Sequence, residues 1–479
     1  MSAAPLGLLL FFLFIRQQAN FSRISGQPKS RMHNFLRHET REPMSETKKF
    51  YRLPTAIAMI VGICIGSGIF FKSDNILAAT GGSVTRGILV FLLGAVGIVF
   101  GGLSVAQLAA RTSRSGGVVA YAEEFVSPGF ACGAGWFQSF VYFPTLVAAV
   151  SRAAGHYFCS LFSIADTLET QCLTGFLMFT LCFLWNLCSA RLGGLLQNAA
   201  TVLKLFPLLL VAVCGLFAGD PQAAVSHAPD VPADTSWLSA IGPIAFAYDG
   251  WIISTTISHE LKDAQRNMPR ALLIAPLFVT AVYILYFLGV SSLLGPETAL
   301  SMGDRHVALL AQRLLGPIGA KLMLLFILIA VAGTLNGVIL GYLRLPPALA
   351  QRGMFPCSHF FTGSSPFLRA LPCYAASCIW TAANYLCERF AWLPNADVSE
   401  VPIVMGYLIY AVLYCQVFRL WRRGQIRGFL RGALIPALAL FGAGIVLWGG
   451  LQSGAHLFYA GFCLLVIVAG FLYGRIKRN

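Results

Sequence analysis

The sequence predicts an all-α integral membrane protein with twelve transmembrane helices, in which two inverted repeats of five helices precede a final pair. The chain has 479 residues, of which 57% are hydrophobic and only 11% charged, whereas a soluble globular domain carries about 25% charged residues. Twelve apolar runs come close to the roughly 20 residues that cross a bilayer. The first and sixth runs are each interrupted in the middle by small and polar residues.

The twelve predicted spans are apolar runs separated by shorter polar segments. They cover residues 54–79, 87–110, 128–152, 172–190, 195–218, 237–261, 270–294, 317–343, 370–390, 401–418, 430–450 and 455–474. Because the interrupted spans are the first and the sixth, spans 1–5 and 6–10 read as two copies of one unit. A unit with an odd number of spans enters the membrane in opposite directions in its two copies, which is the inverted-repeat arrangement.

Basic residues lie before the first span and after each even-numbered span, as with Lys48 and Lys49 before span 1 and Arg344 and Arg352 after span 8. The positive-inside rule therefore predicts that both termini are cytoplasmic. Membrane orientation also accounts for the net charge of +15, so we do not expect nucleic-acid binding. The thirteen cysteines show no metal-ligand spacing and mostly fall within apolar runs, as expected of small buried residues.

The first 43 residues differ from the rest of the chain and are predicted to be a separate part of it. Residues 5–15 are apolar but too short to span a bilayer, and no basic segment precedes them as in a secretory signal. A polar, basic tract follows, and Met44 then opens a plausible cytoplasmic start. We interpret residues 1–43 as a non-native or disordered extension, residues 44–418 as a ten-helix core, and residues 419–479 as a cytoplasmic loop, two helices and a basic tail.

The two interruptions are the strongest local signal. Gly66, Ser67 and Gly68 break the run 57–71, and Tyr248 to Trp251 break the run 241–257. A glycine in a helix interior costs about 1 kcal/mol relative to alanine, and each unpaired backbone group in lipid costs several kcal/mol. The alternative is a purely structural role, in which the glycines only allow close helix packing. Paired breaks instead predict a ligand site near the middle of the membrane.

The polarity of the two breaks predicts which ligand they bind. Freed N–H groups near Gly66 and Ile69 start a helix and favour an anion such as a carboxylate. Freed carbonyls between Phe246 and Tyr248 end a helix and favour an ammonium. A zwitterion satisfies both. The predicted binding residues are Ile65, Gly66, Ser67, Gly68, Ile69, Phe246, Ala247, Tyr248 and Asp249.

Two residues at the second break have additional interpretations. Asp249 either binds the amine directly or caps a second half-helix that begins near Gly250, and capping is the favoured interpretation because an aspartate satisfies free N–H groups at a helix start. Phe246 precedes the break and is predicted to act as a gate over the ligand; taken alone, a phenylalanine here is more often a core residue.

Lys204 lies well inside span 5, where a lysine costs about 2.5–3.5 kcal/mol on insertion scales. A buried ammonium needs acceptors, and the carbonyls of the broken first span are candidates. Thr334 in span 8 is predicted to contribute a hydroxyl, and Asn336 is a further polar residue there. The functional hypothesis is that Lys204 supplies a fixed positive charge where other transporters bind sodium. The alternative is a purely structural tether.

Several motifs together resemble one family. They are GSGIF at residues 66–70, SGGVVAY at 115–121, NAATVLKLFPLL at 198–209, FAYDGW at 246–251 and TLNGVILGYLR at 334–344. The chain resembles the amino acid–polyamine–organocation (APC) superfamily over about residues 50–420, and within it the L-amino-acid transporter branch with its bacterial small-neutral-amino-acid exchangers. The resemblance implies a LeuT-like five-plus-five repeat and alternating access.

The same resemblance implies site roles. It places carboxylate binding at Gly66–Gly68, amine binding on the backbone of Phe246–Asp249, a gate at Phe246, and Lys204 with Thr334 at the emptied sodium site. No cofactor or metal is implied. A single-pass heavy chain is not predicted, because neither Cys159 nor Cys172 lies in the middle of the loop between spans 3 and 4.

The expected function is sodium-independent exchange of neutral L-amino acids across the plasma membrane. The ligand would lie between spans 1 and 6, and spans 1, 2, 6 and 7 would rock against spans 3, 4, 8 and 9. One alternative keeps the fold but couples transport to protons through Lys204, and another is a sensor that binds without transporting. An enzyme is not expected, since no nucleophile–base or metal-ligand pattern converges.

Overall fold

The computed structural model describes residues 51–477 except 113, 115, 189, 227–239, 303–305, 357, 362–364, 393–397 and 452–453. The extension assigned to residues 1–43 lies outside these described residues, so its interpretation stays a prediction. Within the described part the secondary structure is helical, and the only extended pairing is an isolated bridge between Tyr51 and Leu261.

The first half of the chain forms helices that overlap the first five predicted spans. They are α1 (Leu53–Cys64), α2 (Ser67–Ala79), α3 (Val84–Ala109), α4 (Val118–Phe125), α5 (Pro128–Phe137), α6 (Phe143–Phe162), α7 (Leu168–Cys188), α8 (Ala190–Ala218) and α9 (Pro221–Ser226). A π-helical turn, Gln138–Tyr142, joins α5 to α6. The predicted first span is therefore two helices, and the predicted third span is one long rod with a π turn.

The second half overlaps the remaining predicted spans. Its helices are α10 (Ile241–Tyr248), α11 (Ala264–Leu294), α12 (Pro296–Met302), α13 (His306–Tyr342), α14 (Leu345–Gln351), α15 (Pro366–Arg389), α16 (Glu400–Arg422), α17 (Ile435–Gly450) and α18 (Gly454–Ile476). Short 3₁₀ segments cover Ile253–Glu260 and Ser358–Phe361, and a π turn covers Leu430–Leu434. Gly316 is non-helical within α13.

Membrane character follows from length and composition. Among the described residues, eight helical segments are long and apolar enough to cross a bilayer, and α1 is a shorter apolar helix. Large apolar side chains such as Phe217 and Ile318 point outward, with 86% and 74% of their surface exposed, as expected where lipid replaces water. The prediction of an all-helical membrane protein is confirmed at this level.

Glycines let the helices approach closely. A Cβ added at Gly442 of α17 would lie 2.6 Å from the Cα of Gly97 in α3, and one added at Gly289 of α11 would lie 2.6 Å from the carbonyl oxygen of Val211 in α8. Apolar side chains gain little from leaving lipid, so helices in a membrane are held by van der Waals packing at small residues and by hydrogen bonds. These contacts hold α3, α8, α11 and α17 in position around α1 and α10.

Helices α1 and α8 run side by side in the same direction. Thr201 of α8 bonds the carbonyl of Ala58 in α1 at 3.0 Å, and Lys204, three residues later, bonds the carbonyl of Gly62, four residues later. Both helices therefore begin on the same side of the membrane. That side is called the α1 side below.

Candidate functional site

The first predicted break is a true interruption of the helix. Ile65 (φ −76°, ψ 89°) and Gly66 (φ −128°, ψ −142°) leave helical geometry between α1 and α2. No side chain caps the start of α2. A Cβ added at Gly66 would lie 2.6 Å from the Thr334 hydroxyl, so this glycine allows α13 to approach the break.

The second predicted break is also present, but its continuation differs from an α-helix. Helix α10 ends at Tyr248, Asp249 is extended, and Gly250 has a φ of 95°, a left-handed value that favours glycine. The chain then continues as the 3₁₀ segment Ile253–Glu260. The two breaks meet directly, since a Cβ added at Gly68 would lie 2.7 Å from the Cα of Ala247.

A small cavity lies between the breaks and the flanking helices α6 and α13. Its walls combine the break residues with an apolar side, and they are Ile63, Cys64, Gly66, Gly68, Leu146, Val150, Phe246, Asp249, Gly250, Ile253, Thr334 and Val338. Its volume of about 30 Å³ is enough for one or two water molecules. A larger ligand has to displace part of the wall, and the Phe246 ring is the largest side chain on it.

The predicted site residues fall into two groups. Gly66, Gly68, Phe246, Asp249 and Thr334 line the cavity. The other residues do not line the cavity. Five of them are buried in the protein interior: Ile65, Ile69, Ala247, Tyr248 and Lys204. Ser67 contributes the first residue of α2. The fold thus brings residues that are about 180 positions apart in sequence into one place.

The carbonyls expected to bind an amine already have protein partners. The carbonyl of Phe246 accepts the Asp249 N–H at 3.1 Å. The Tyr283 hydroxyl of α11 lies 2.8 Å from the carbonyl of Ala247 and 2.7 Å from that of Cys64. The Cys64 carbonyl also accepts the Gly66 N–H at 2.9 Å, which occupies both of its lone pairs. These partners fix the positions of the carbonyls at the two breaks. Sequence reasoning missed Tyr283, since nothing local distinguishes it within an apolar helix.

Asp249 does not cap a following helix, and that favoured interpretation is corrected. The 3₁₀ segment begins after Ile252 and has no side-chain cap, because the turn at Gly250 separates Asp249 from its first residue. The Asp249 carboxylate accepts a hydrogen bond from the backbone N–H of the neighbouring Gly250. It also accepts one of 2.7 Å from the hydroxyl of Tyr142, a residue of the π turn between α5 and α6. Asp249 is also one of the residues that line the cavity.

The Lys204 ammonium is completely buried and holds the end of α1. It donates to the carbonyl of Gly62, to that of Ile65 at 2.7 Å, and to the Thr334 hydroxyl at 3.3 Å. These are the carbonyls that the break at Gly66 deprives of helical partners. The ammonium thus satisfies oxygen atoms that would otherwise be exposed in the membrane interior.

Ion pairs join neighbouring segments on the α1 side of the molecule. Arg344, at the end of α13, makes two bonds of 2.7 and 3.1 Å to the Glu260 carboxylate. The Glu260 carbonyl accepts the Tyr51 N–H at 3.1 Å. Burial raises the pKa of the Tyr51 phenol. A second pair, Arg352 to Glu123 at 3.0 Å, lies nearby.

Known proteins resemble this chain in sequence over much of its length. The family described as amino acid permease matches residues 51–478. The serine/threonine exchanger SteT of Bacillus subtilis is 29% identical over 444 residues, which are 90% of this chain and 98% of SteT. The human Asc-type amino acid transporter 1 is 28% identical over 64% of this chain and 60% of its own length. The human b(0,+)-type amino acid transporter 1 is 28% identical over 56% of this chain and 58% of its own length.

Proposed function

Because this chain belongs to the amino acid permease family, we propose that it is a sodium-independent exchanger of neutral L-amino acids in the plasma membrane. The observation that carries the proposal is the pair of facing breaks, which place the start of α2 and the end of α10 around one cavity. The family consists of permeases and the matched relatives are named as transporters, which supports a function other than an enzyme.

The proposal includes the finer architecture. Twelve spans, with both termini cytoplasmic and a LeuT-like five-plus-five repeat, are supported by the two broken helices at the first and sixth positions and by the basic loops. Residues 44–418 would form the transport core. In this arrangement the α1 side is the cytoplasmic side.

The cavity walls support a small neutral substrate. Apart from the break residues and Thr334, its lining is apolar, with Leu146, Val150 and Val338 on the side of α6 and α13. The amino acid's carboxylate would meet the N–H groups at Gly66–Gly68, and its ammonium would meet the carbonyls of Phe246–Tyr248, with Phe246 as the gate. The relative SteT is named as a serine/threonine exchanger, which agrees with a small side chain.

Sodium independence rests on Lys204 and Thr334. The Lys204 ammonium donates hydrogen bonds to the carbonyl oxygen atoms of Gly62 and Ile65 and to the Thr334 hydroxyl. Such oxygen atoms are ligands suited to a hard cation. With the ammonium bonded to these oxygen atoms, no dissolved cation is needed to coordinate them. A heavy-chain partner is not proposed; Cys159 is fully buried beside Thr174, a poor position for an intermolecular disulfide.

The direct test is uptake of radiolabelled alanine, serine and leucine into sodium-free vesicles that contain the purified protein. We expect uptake only when the vesicles hold unlabelled amino acid. Uptake into empty vesicles, driven by an imposed proton gradient, would replace exchange with proton-coupled symport. Saturable binding without flux under every gradient would instead indicate a sensor.

The ion pair between Arg344 and Glu260 allows a prediction about closure. If α1 and the segment after α10 move against α13, this pair has to break each time the α1 side opens. We expect Arg344→Gln to raise the rate at which a small maleimide labels Cys64, a buried cavity residue, by about fivefold or more. Labelling at Cys64 is read by mass spectrometry of its peptide.

The control is Arg352→Gln, since Arg352 makes an ion pair of similar burial with Glu123. Both residues of that pair belong to segments next to α5 and α13, in the half proposed to stay fixed. Equal acceleration in the two variants would show that loss of a surface ion pair loosens the protein generally and that Arg344 has no special part in closure.

A further inference from the structure

A buried polar network joins α7, α8 and α13 beside the Lys204 site. The Trp185 indole N–H donates to Oδ1 of Asn336 at 2.8 Å, and Nδ2 of Asn186 donates to the same oxygen at 2.9 Å. Nδ2 of Asn336 then donates to Oε1 of Gln197 at 3.3 Å. Because an indole nitrogen only donates, Trp185 sets the orientation of the Asn336 amide, and Asn336 sets that of Gln197.

This orientation leaves Nε2 of Gln197 without a hydrogen-bond partner, although the residue is only 2% exposed. The nitrogen faces α1 and α13 where both helices carry glycine. A Cβ added at Gly62 would lie 2.5 Å from Nε2, and one added at Gly337 would lie 3.1 Å from it. An unpaired amide donor in the interior of a protein is destabilising, and lipid offers no replacement acceptor.

Gln197 belongs to a row of donors on one face of α8. Gln197, Thr201 and Lys204 are spaced by four and three residues, which places them on the same side of the helix. Thr201 bonds the carbonyl of Ala58, and Lys204 bonds the carbonyl of Gly62. Helix α1 therefore covers the whole row, and it pairs with every member except the Gln197 amide nitrogen.

We infer that Gln197 forms a second carboxylate-binding subsite on the α1 side of the central cavity. It becomes available when α1 moves away from α8, and the amino acid contacts it while entering or leaving the cavity on that side. A carboxylate brings two acceptor oxygens to a row made of donors, and the two N–H bonds of Nε2 match that chemistry. The inference rests on the proposed function, because it needs an amino acid to pass between α1 and α8.

The test uses vesicles in which the orientation of the protein is known. It measures, separately on each side, the amino acid concentration that gives half of the maximal exchange rate, called half-saturation here. The variant Gln197→Met keeps the length of the side chain and removes its donors. We expect half-saturation on the α1 side to rise about tenfold, as for loss of a bond to a charged group, and half-saturation on the opposite side to stay within about twofold of the wild-type value.

Gln197→Glu is the second variant, since it keeps the shape and places a negative charge against the substrate carboxylate. A larger rise on the α1 side than in Gln197→Met is expected. The matched control is Asn384→Leu. Asn384 of α15 is likewise 2% exposed, and its amide has one unpaired atom, the oxygen. It is expected to change half-saturation on neither side.

Three results would overturn the subsite. If half-saturation rises equally on both sides in Gln197→Met, the substitution causes a general packing defect. If half-saturation changes on neither side, the Gln197 amide has a structural role only and does not contact the substrate. A rise on the α1 side with a matching fall on the opposite side would mean that Gln197 only biases the conformational equilibrium. Absence of exchange by the wild-type protein would overturn the proposed function itself, so the two failures are distinguishable.

Discussion

Replacement of Lys204 by methionine is expected to reduce exchange by about a hundredfold or more. Methionine fills much of the same volume but leaves the carbonyls of Gly62 and Ile65 and the Thr334 hydroxyl without the ammonium. Breaking a buried charged contact by removing one partner costs about 3–5 kcal/mol. The hydrogen bonds that are lost hold the end of α1, which also forms one wall of the cavity. Exchange in reconstituted vesicles measures the effect.

Lys321→Met is the control, because Lys321 lies on an exposed face of α13 and its replacement removes the same charge without a buried contact. Exchange by this variant is expected to remain at the wild-type level. Sodium distinguishes the two interpretations of Lys204. If exchange by Lys204→Ala recovers partly in sodium chloride and not in choline chloride, the ammonium stands where a cation would bind. A variant that unfolds in both salts supports a structural tether.

Gly68→Ala is expected to abolish exchange while leaving most of the fold intact. The added methyl would lie 2.7 Å from the Cα of Ala247 and 3.3 Å from Cδ1 of Phe246, whereas carbon atoms in contact are normally about 3.5–4.0 Å apart. Because the nearest atom belongs to the backbone, the start of α2 and the end of α10 have to separate. Overpacking of this kind costs about 1–3 kcal/mol.

The measurements are exchange and the midpoint of thermal unfolding in detergent. Gly444→Ala in α17 serves as the control, since no heavy atom lies within 4 Å of the Cβ it would add; there alanine is expected to be neutral or to stabilise the helix by up to about 1 kcal/mol. Wild-type exchange by Gly68→Ala would contradict the assignment of the two breaks to one ligand site.

The two helix breaks and the acceptors of Lys204 can be predicted from the residues of the spans in which they lie. A glycine pair around Ser67 and the Asp249–Gly250 pair interrupt apolar runs, and both breaks are present in the structure. A lysine in the middle of an apolar helix has to find acceptors, and the carbonyls of the broken span were the nearest candidates. Lys204 does bond them.

The contacts that depend on helix rotation could not be read from the sequence. Tyr283 is one tyrosine among several in α11, yet its hydroxyl lies between the carbonyls of Cys64 and Ala247. Asp249 is of a residue type common at helix starts, but its carboxylate also accepts a hydrogen bond from Tyr142, 107 residues away. Both contacts join residues on different helices, and the apolar pattern of a membrane span leaves its rotation undefined.

The membrane class, the two helix breaks and the buried lysine can be predicted from the amino-acid sequence. Each follows from whether a residue can satisfy its backbone or its charge within its own span. The folded molecule is needed to see how the breaks face each other, which hydroxyls hold them, and that α1 covers the Gln197 amide nitrogen without bonding to it. Those features depend on how neighbouring helices pack at small residues, where a shift of one residue in register or a rotation of a helix changes every contact.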